Sequence, residues 1–165
     1  MLQDQDLVSI QEVRSKVAAA HAAWLKFRSF TQTQVDSIVE AMAAAAREHA
    51  AELAEQAVSE TTYGNAADKL SKNLLAADLL ARKLRGLKTI GVIDDDATEK
   101  VMKIAVPVGV VAAILPTTNP TSTAIYKSLI AVKAGNGIVI SPHPRAKNCT
   151  CATAAILAQA AEAAG

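Results

Sequence analysis

The sequence predicts an α/β protein in which helices pack on a parallel sheet, and three features indicate this fold class. Hydrophobic residues make up 51% of the 165 residues but aromatic residues only 3%, and 35 residues are alanine. A core of small aliphatic side chains suits helices and buried parallel strands better than a β-sandwich. All five prolines lie between Pro107 and Pro144. From Val108 onward, continuous apolar runs alternate with helical segments.

The proline-free residues 1–87 are predicted to form an N-terminal segment of three amphipathic helices. Ser9 and Glu12 have the spacing of a capping box, so we expect the first helix to start there. Apolar residues then recur at intervals of three and four as far as Phe27, which is the helical period.

The second and third helices carry similar start and stop signals. Thr31 and Gln34 form another capping-box pair, and the second helix is expected to continue until just before Gly64. The third helix is predicted over 67–85 and is stopped by Gly86. Each helix has one apolar face, so each must pack against a larger body.

Residues 88–106 are predicted to form a two-stranded segment. We expect strands over 88–93 and 100–106, and we interpret the three aspartates at 94–96 as a solvated turn between them. The second strand mixes apolar with charged residues, which predicts one wet face. Because exposed strand edges pair with other chains, the segment is either an oligomerisation hairpin or a simple surface hairpin.

Residues 107–165 are predicted to be the first β-α-β-α unit of a doubly wound nucleotide-binding domain. The apolar run 108–115 fits a strand covered on both faces. A helix is expected over 121–134, a second buried strand over 137–140 and a final helix over 146–164. A doubly wound sheet has about five or six parallel strands, and this sequence supplies two. We therefore expect the chain to be the front part of a longer protein.

Charge, hydropathy and cysteine content argue against several classes of protein. The 17 basic and 16 acidic residues give a net charge of +1 and leave no basic footprint for nucleic acid. No signal peptide is expected in the first thirty residues, and prolines and polar residues disqualify the uncharged run 104–126 as a membrane span. Cys149 and Cys151 form no disulfide framework, and no His or Cys pair has metal-ligand spacing. The sequence thus predicts a cytoplasmic protein with no metal, no nucleic-acid partner and no membrane partner.

The loop 116–120 (PTTNP) is the most informative motif for chemistry. It follows the first predicted parallel strand, at the edge of the sheet where doubly wound folds bind ligands. Prolines at both ends hold the Asn119 amide in a fixed direction, so the amide could donate hydrogen bonds to an oxyanion. An ordinary helix N-cap is the alternative role of this asparagine, and spacing alone favours it. No G-x-G-x-x-G fingerprint follows the strand.

The run 106–127 (VPVGVVAAILPTTNPTSTAIYK) closely resembles the CoA-acylating aldehyde dehydrogenases. More narrowly, it is similar to the aldehyde dehydrogenase half of bifunctional aldehyde-alcohol dehydrogenases and to their stand-alone relatives. The segments 134–136, 141–147, 30–36 and 88–93 continue the resemblance at the family's spacing. Hydrolytic relatives generally carry a Trp-Asn-aromatic-Pro loop and a Lys-Pro pair instead. The resemblance implies the N-terminal part of an aldehyde-dehydrogenase-type, Rossmann-like domain, preceded by three helices and two strands.

The resemblance also implies a reaction for the full-length protein. In this family a cysteine thiolate adds to an aldehyde, hydride passes to NAD, and coenzyme A captures the acyl-enzyme thioester, all reversibly. The family's nucleophilic cysteine lies beyond the end of this sequence, so this chain alone is expected to be inactive. Neither Cys149 nor Cys151 matches that nucleophile, although a helix N-terminus leaves a reactive Cys149 as an alternative. NADP is not excluded, because Arg145 and Lys147 follow the second predicted strand.

Individual residues take roles from the same resemblance. Asn119 matches the side chain that stabilises the oxyanion. Lys127 matches a lysine near the active site that supports the site or moves a proton, with a solvated helix lysine as the alternative. Contacts with the nicotinamide side of the cofactor are expected from Leu115, Pro116, Thr117 and Thr118. Contacts with its adenosine end are expected from Ser141, Pro142 and His143. Ser141 replaces the lysine of the hydrolytic relatives, which weakens the ribose contact expected there.

The sequence leaves two other functions open. The first is a hydrolytic aldehyde dehydrogenase that releases a free acid. The second is a non-catalytic helical interaction module that is complete at 165 residues. The expected partners of the full-length enzyme are a small aldehyde or acyl-CoA and further copies of itself. The residues present do not identify the aldehyde.

Overall fold

The computed structural model describes residues 4–165. The helical first part comprises α1 (Gln5–Phe27), α2 (Gln32–Glu48), α3 (Ala50–Thr61), α4 (Ala66–Leu74), a π-helical turn (Leu75–Leu80) and α5 (Ala81–Leu84). The second part comprises β1 (Gly91–Asp96), β2 (Val101–Ala105), β3 (Val110–Ile114), α6 (Pro120–Lys133), β4 (Gly137–Ser141), a 3-10 turn (Pro144–Ala146) and α7 (Lys147–Ala164). This order confirms the predicted α/β class. Among these helices, none is long and apolar enough to cross a membrane.

Helix α1 begins five residues before the predicted start, so the predicted capping box at Ser9 is wrong. Asp4 occupies the N-cap, and its carboxylate accepts hydrogen bonds from the N–H groups of Asp6 at 3.0 Å and Leu7 at 3.3 Å. Aspartate caps a helix as well as serine does. Because Asp4 comes first, the helix simply runs through Ser9.

Helix α2 begins at the predicted capping box but ends early. The Thr31 hydroxyl accepts from the N–H of Gln34 at 3.4 Å, and the Gln34 side chain accepts from the N–H of Thr31 at 2.9 Å. The predicted single helix up to Gly64 is wrong, because helical geometry is interrupted at His49 and α3 ends at Thr61. Helix α2 packs mainly against α7, whereas α3 packs mainly against α4. The two helices therefore lie against different parts of the structure.

The third predicted helix is present but is interrupted by the π-helical turn. Asn65 caps its start by accepting a hydrogen bond from the N–H of Asp68 at 2.9 Å. The π-helical turn buries Ala76 and Ala77, whose small side chains join the main hydrophobic core. The π-helical turn packs against α6 and α2.

The two predicted strands form as the antiparallel pair β1–β2. The aspartates at 94–96 lie within β1, so the turn predicted there is wrong. Instead, the Asp96 carboxylate accepts hydrogen bonds from the N–H groups of Thr98 at 2.9 Å and Glu99 at 3.0 Å. An aspartate that caps a turn binds N–H groups two or three residues after itself. The turn therefore follows the aspartates. Every residue of β1 is exposed, and so are four of the five residues of β2.

Strands β3 and β4 pair in parallel, with Val110 opposite Gly137 and Ile114 opposite Ser141. The prediction that the first parallel strand is covered on both faces is wrong for the described chain. Ala113 is only 3% exposed and packs against α6, whereas Ile114 on the opposite face is 77% exposed. One face of this strand pair is therefore covered by helix α6, whereas the other is exposed at Ala112 and Ile114.

Helix α1 reaches this small sheet at the start of β4. A Cβ added to Gly137 would lie 3.4 Å from the carbonyl oxygen of Ala20 and 3.5 Å from the Cβ of Trp24. The Trp24 indole Nε1 donates to the carbonyl of Gly135 at 3.0 Å. Helix α1 has no fully buried residue. It is held by this close approach over a glycine, by the Trp24 hydrogen bond and by Phe27, which packs against the main core.

The main hydrophobic core lies between α2, α6, α7 and the π-helical turn. Val35 of α2, Leu129 of α6 and Leu157 of α7 are among its fully buried members. The Lys133 side chain, only 3% exposed, pairs with Asp36 beside this core. Helix α6 is therefore tied to α2 by an ion pair as well as by apolar packing.

Asn136 joins the end of α6 to the start of β3. Its Oδ1 atom accepts hydrogen bonds from the N–H groups of Val108 at 2.7 Å and Gly109 at 3.1 Å. Just before it, Gly135 ends α6 with a φ of 74°, a left-handed conformation that glycine adopts without strain. A buried amide thus satisfies backbone groups that no strand partner reaches.

Candidate functional site

Two loops leave the same edge of the parallel strand pair and define the candidate site. Residues 115–119 follow β3, and residues 142–143 follow β4. Ile114 lies opposite Ser141, and the N–H of Leu115 donates to the carbonyl of Ser141 at 3.0 Å. The loops therefore start side by side, at the carboxyl edge where open α/β sheets bind ligands.

Asn119 stands at the N-cap position of α6, followed by Pro120 at the first helical position. Its side chain makes no capping hydrogen bond. Instead, Asn119 Oδ1 accepts a hydrogen bond from Nζ of Lys72 at 3.0 Å. Within residues 4–165, the Nδ2 group donates to no protein atom. The amide thus keeps two donors for a ligand, and its role as an oxyanion donor stays a prediction.

Helix α4 holds this loop through side chains that the sequence analysis missed. Lys69, only 5% exposed, donates from Nζ to the carbonyl of Thr118 at 2.8 Å. Asn73, fully buried, accepts from the Thr121 hydroxyl at 2.8 Å. Burial, and then the charge of Lys72, lower the pKa of Lys69. The spacing of Lys69, Lys72 and Asn73 places them on one helical face. In the sequence alone, this polar face looks like one that is exposed to solvent.

Lys127 lies on α6 and is half-buried rather than free in solvent. Its Nζ donates to the carbonyl of Ile114, the last residue of β3, at 2.8 Å. The lysine therefore supports the strand end from which the 115–119 loop leaves. A role in moving a proton stays a prediction.

The residues proposed to contact a cofactor differ in exposure. Leu115 is buried, Thr117 is half-buried, and Pro116 and Thr118 are exposed. The Thr117 hydroxyl oxygen is buried and has no hydrogen-bond partner in the described chain. In the second loop, Ser141 is exposed and Pro142 is half-buried. The first loop thus has a buried, unpaired hydroxyl at Thr117 between two exposed residues.

His143 is used locally by the second loop. It is half-buried, and its Nδ1 accepts a hydrogen bond from the N–H of Arg145 at 3.1 Å, which caps the 3-10 turn. We infer from this bond that the proton of the neutral ring is on Nε2. The Arg145 guanidinium lies 6.0 Å from the ring centroid of Tyr63.

Cys149 is an inert thiol and not the reactive alternative considered above. It is 1% exposed, and burial together with the neighbouring Glu60 carboxylate raises its pKa to about 12. Glu60 accepts hydrogen bonds from the N–H groups of Asn148 at 2.8 Å and Cys149 at 2.7 Å. The carboxylate thus occupies the helix N-terminus that would otherwise stabilise a thiolate.

The described residues contain no group of three or more His, Cys, Asp or Glu side chains that could hold a metal ion. The polar groups at the sheet edge are amides, hydroxyls, lysine ammonium groups and the His143 imidazole. Such groups donate hydrogen bonds to anions and carbonyl oxygens. The chemistry available here is therefore recognition of a negatively charged or polarised ligand.

Comparisons with known proteins agree on one family. Residues 3–165 match the sequence model of the aldehyde dehydrogenase family. The chain is 44% identical over 159 residues to the bifunctional aldehyde-alcohol dehydrogenase of Escherichia coli K12, covering 96% of this chain and 18% of that protein. It is thus similar to a protein more than five times its length.

Solved structures show the same likeness. An acetylating aldehyde dehydrogenase from Geobacillus thermoglucosidasius superimposes with a TM-score of 0.96 at 53% identity, covering 99% of this chain and 36% of that chain. A propionaldehyde dehydrogenase from Rhodopseudomonas palustris, solved with bound CoA and an acylated cysteine, superimposes with a TM-score of 0.78 at 29% identity. That match covers 92% of this chain and 34% of that one.

The environment of Cys149 predicts a sharp difference between the two thiols. At pH 8, iodoacetamide should alkylate exposed Cys151 and leave buried Cys149 unmodified, because only a thiolate reacts. Peptide mass spectrometry over a time course measures both sites. Urea-unfolded protein, in which both cysteines should react, is the control. Equal rates at the two sites in the folded protein would contradict the assignment.

The Glu60 contact predicts a pH-dependent contribution to stability. Burial raises the Glu60 pKa, but hydrogen bonds from Cys149 and Asn148 outweigh it and leave the pKa below 4.5. Glu60 therefore stabilises the fold above pH 4.5, and this contribution is lost as pH falls through the lowered pKa. At pH 7 the E60Q variant should lose about 1 kcal/mol of unfolding free energy.

Urea titrations at pH 7 and at low pH measure this effect. The difference between wild type and E60Q should shrink as the solution is acidified. The matched control is E55Q, the same substitution at an exposed position of α3. A difference that is independent of pH would disprove the role of the Glu60 charge.

Proposed function

The chain belongs to the aldehyde dehydrogenase family, and on that premise we propose that it supplies part of the nucleotide-binding domain of an NAD-dependent, CoA-acylating aldehyde dehydrogenase. The whole enzyme would convert an aldehyde, CoA and NAD into an acyl-CoA and NADH, reversibly. The observation that carries the proposal is the Asn119 amide, which presents two unused donors at the carboxyl edge of β3. In this proposal the chain comprises a helical part (1–87), a two-strand segment (88–106) and the first β-α-β-α unit (107–165).

The residues at the sheet edge fit a dinucleotide. Pro116, Thr118 and Ser141 are exposed residues at the ends of adjacent parallel strands, and the buried Thr117 hydroxyl lacks a partner within the described chain. In our proposal residues 115–118 bind the nicotinamide side and residues 141–143 the adenosine end. NAD, when bound, accepts the hydride.

Asn119 would act on the reacting carbonyl of the substrate. When the enzyme's nucleophilic thiolate adds to the aldehyde carbon, the carbonyl oxygen becomes negatively charged. An amide N–H that already points at this oxygen stabilises the charge without first reorganising. Lys127 would support this geometry through its hydrogen bond to the carbonyl of Ile114.

The acylating branch is favoured over the hydrolytic one by the similarity to acylating enzymes. The part of the Geobacillus thermoglucosidasius acetylating enzyme that matches this chain, 36% of that enzyme, is 53% identical to it. In our proposal CoA therefore captures the thioester, and a small aldehyde or acyl-CoA is the substrate. NAD is the proposed nucleotide and the cytoplasm the proposed compartment, where the two free thiols would stay reduced.

The β1–β2 hairpin is proposed to join copies of the whole enzyme into a homo-oligomer. Val92 lies opposite Ile104, and Met102 shares the face of Ile104 on β2. All three side chains are about half exposed or more, at 47%, 58% and 53% for Val92, Ile104 and Met102. An exposed apolar face on a two-stranded edge suits pairing with another chain.

The first experiment tests the reaction. The whole enzyme should form NADH from an aldehyde only when CoA is present, and acyl-CoA should be the product. The N119D variant should lose about 100- to 1000-fold in kcat, because it replaces the NH₂ donors with an oxygen yet can still pair with Lys72. Circular dichroism checks that N119D is folded. CoA-independent formation of free acid would favour the hydrolytic alternative instead.

The second experiment tests the hairpin. The I104D variant of the whole enzyme should have a lower mass by light scattering than the wild type, because a charge on the apolar face opposes pairing. T98D, which places the same charge in the exposed turn, is the control and should keep the wild-type mass. A monomeric wild type, or an unchanged mass for I104D, would refute the proposal.

A further inference from the structure

We propose that Lys72 is a positioning residue for Asn119, which it orients through the amide oxygen. The inference rests on the proposed function, because it assumes that Asn119 is the oxyanion donor. Lys72 lies on α4, 47 positions before Asn119 in the chain, and its Nζ is 3.0 Å from Asn119 Oδ1. No helix-capping bond competes for the Asn119 side chain.

The chemistry of the two groups sets the direction of the amide. A lysine ammonium has three donors and no acceptor, so the amide atom that faces it must be the oxygen. The NH₂ group is then directed away from Lys72. Without Lys72, the amide could flip and present its oxygen to an oxyanion, which would repel it.

The positive charge also strengthens the donor. An ammonium bound to the amide oxygen draws electron density from the amide, which makes the N–H groups better donors. Among residues 4–165, neither Lys69 nor Lys72 forms an ion pair with a carboxylate. The Lys72 ammonium group that binds Asn119 is therefore not neutralised by a carboxylate of the described chain.

Neighbouring contacts hold Lys72 in register with the loop. Lys69, one turn before Lys72, binds the carbonyl of Thr118 at 2.8 Å. Asn73, the next residue, binds the hydroxyl of Thr121 at 2.8 Å and the carbonyl of Ala50 at 2.9 Å. These buried anchors hold the residues on both sides of Asn119, one through the Thr118 carbonyl and one through the Thr121 hydroxyl. Lys72 itself is exposed, so replacing it leaves the clamp in place.

The K72M variant of the whole enzyme separates a positioning role from a structural one. We expect kcat to fall about tenfold, as for the loss of one charge-assisted hydrogen bond. The KM for NAD should change less than about twofold and the melting temperature should stay near the wild-type value. K72R, which keeps the charge and donors, should recover part of kcat. K83M is the matched control, since Lys83 is exposed and makes no hydrogen bond within the described chain.

A double-mutant cycle completes the test. In an N119A background, K72M should lower kcat by less than about twofold, because the group that Lys72 orients is gone. An equal loss in both backgrounds, or full activity of K72M alone, would overturn the positioning role while leaving the proposed function intact. A wild-type enzyme without CoA-dependent activity would overturn the proposed function and this inference together. If K72M is unstable, the same comparisons apply to K72Q.

Discussion

Parallel pairing of β3 with β4 is the constraint on which the arrangement of the site depends. Two parallel strands cannot be joined by a tight turn, so the chain must return to the starting edge through a crossover, here α6. This return brings the ends of both strands to one edge, where Leu115 and Ser141 are hydrogen-bonded. The 115–119 and 142–143 loops are neighbours for that reason, although more than 20 residues separate them.

Buried and half-buried polar side chains then hold the loops and the start of α7. Backbone groups in loops have no strand partner, and burying them unpaired is costly. Asn136 accepts hydrogen bonds from the N–H groups before β3, and Lys69 donates one to a carbonyl of the first loop. Glu60 accepts hydrogen bonds from the first N–H groups of α7. In each case the helper comes from a distant part of the chain. The helical first part thus takes part in building the site.

Several elements followed from local signals in the sequence. The capping box at Thr31, the proline-bounded loop around Asn119 and the alternation of strands with α6 and α7 all depend on residues within a few positions of one another. The errors have the same physical origin. Asp4 competed with Ser9 for a helix start, and Asp96 capped a turn that follows it. Aspartate and serine side chains cap helices and turns through the same kind of hydrogen bond, so the local sequence does not show which residue becomes the cap.

By itself the sequence determined the fold class, the order of the elements apart from the division between α2 and α3, and the family, because these depend on local propensity and on motifs. It also singled out Asn119 but left its side chain with two possible roles. Only the tertiary structure decided which groups form hydrogen bonds. The Asn119 oxygen binds Lys72, Lys127 binds the carbonyl of Ile114, and the helix start at Cys149 binds Glu60. These contacts join residues 13 to 89 positions apart. No periodicity or spacing rule spans such separations, so they become visible only once the helices have packed.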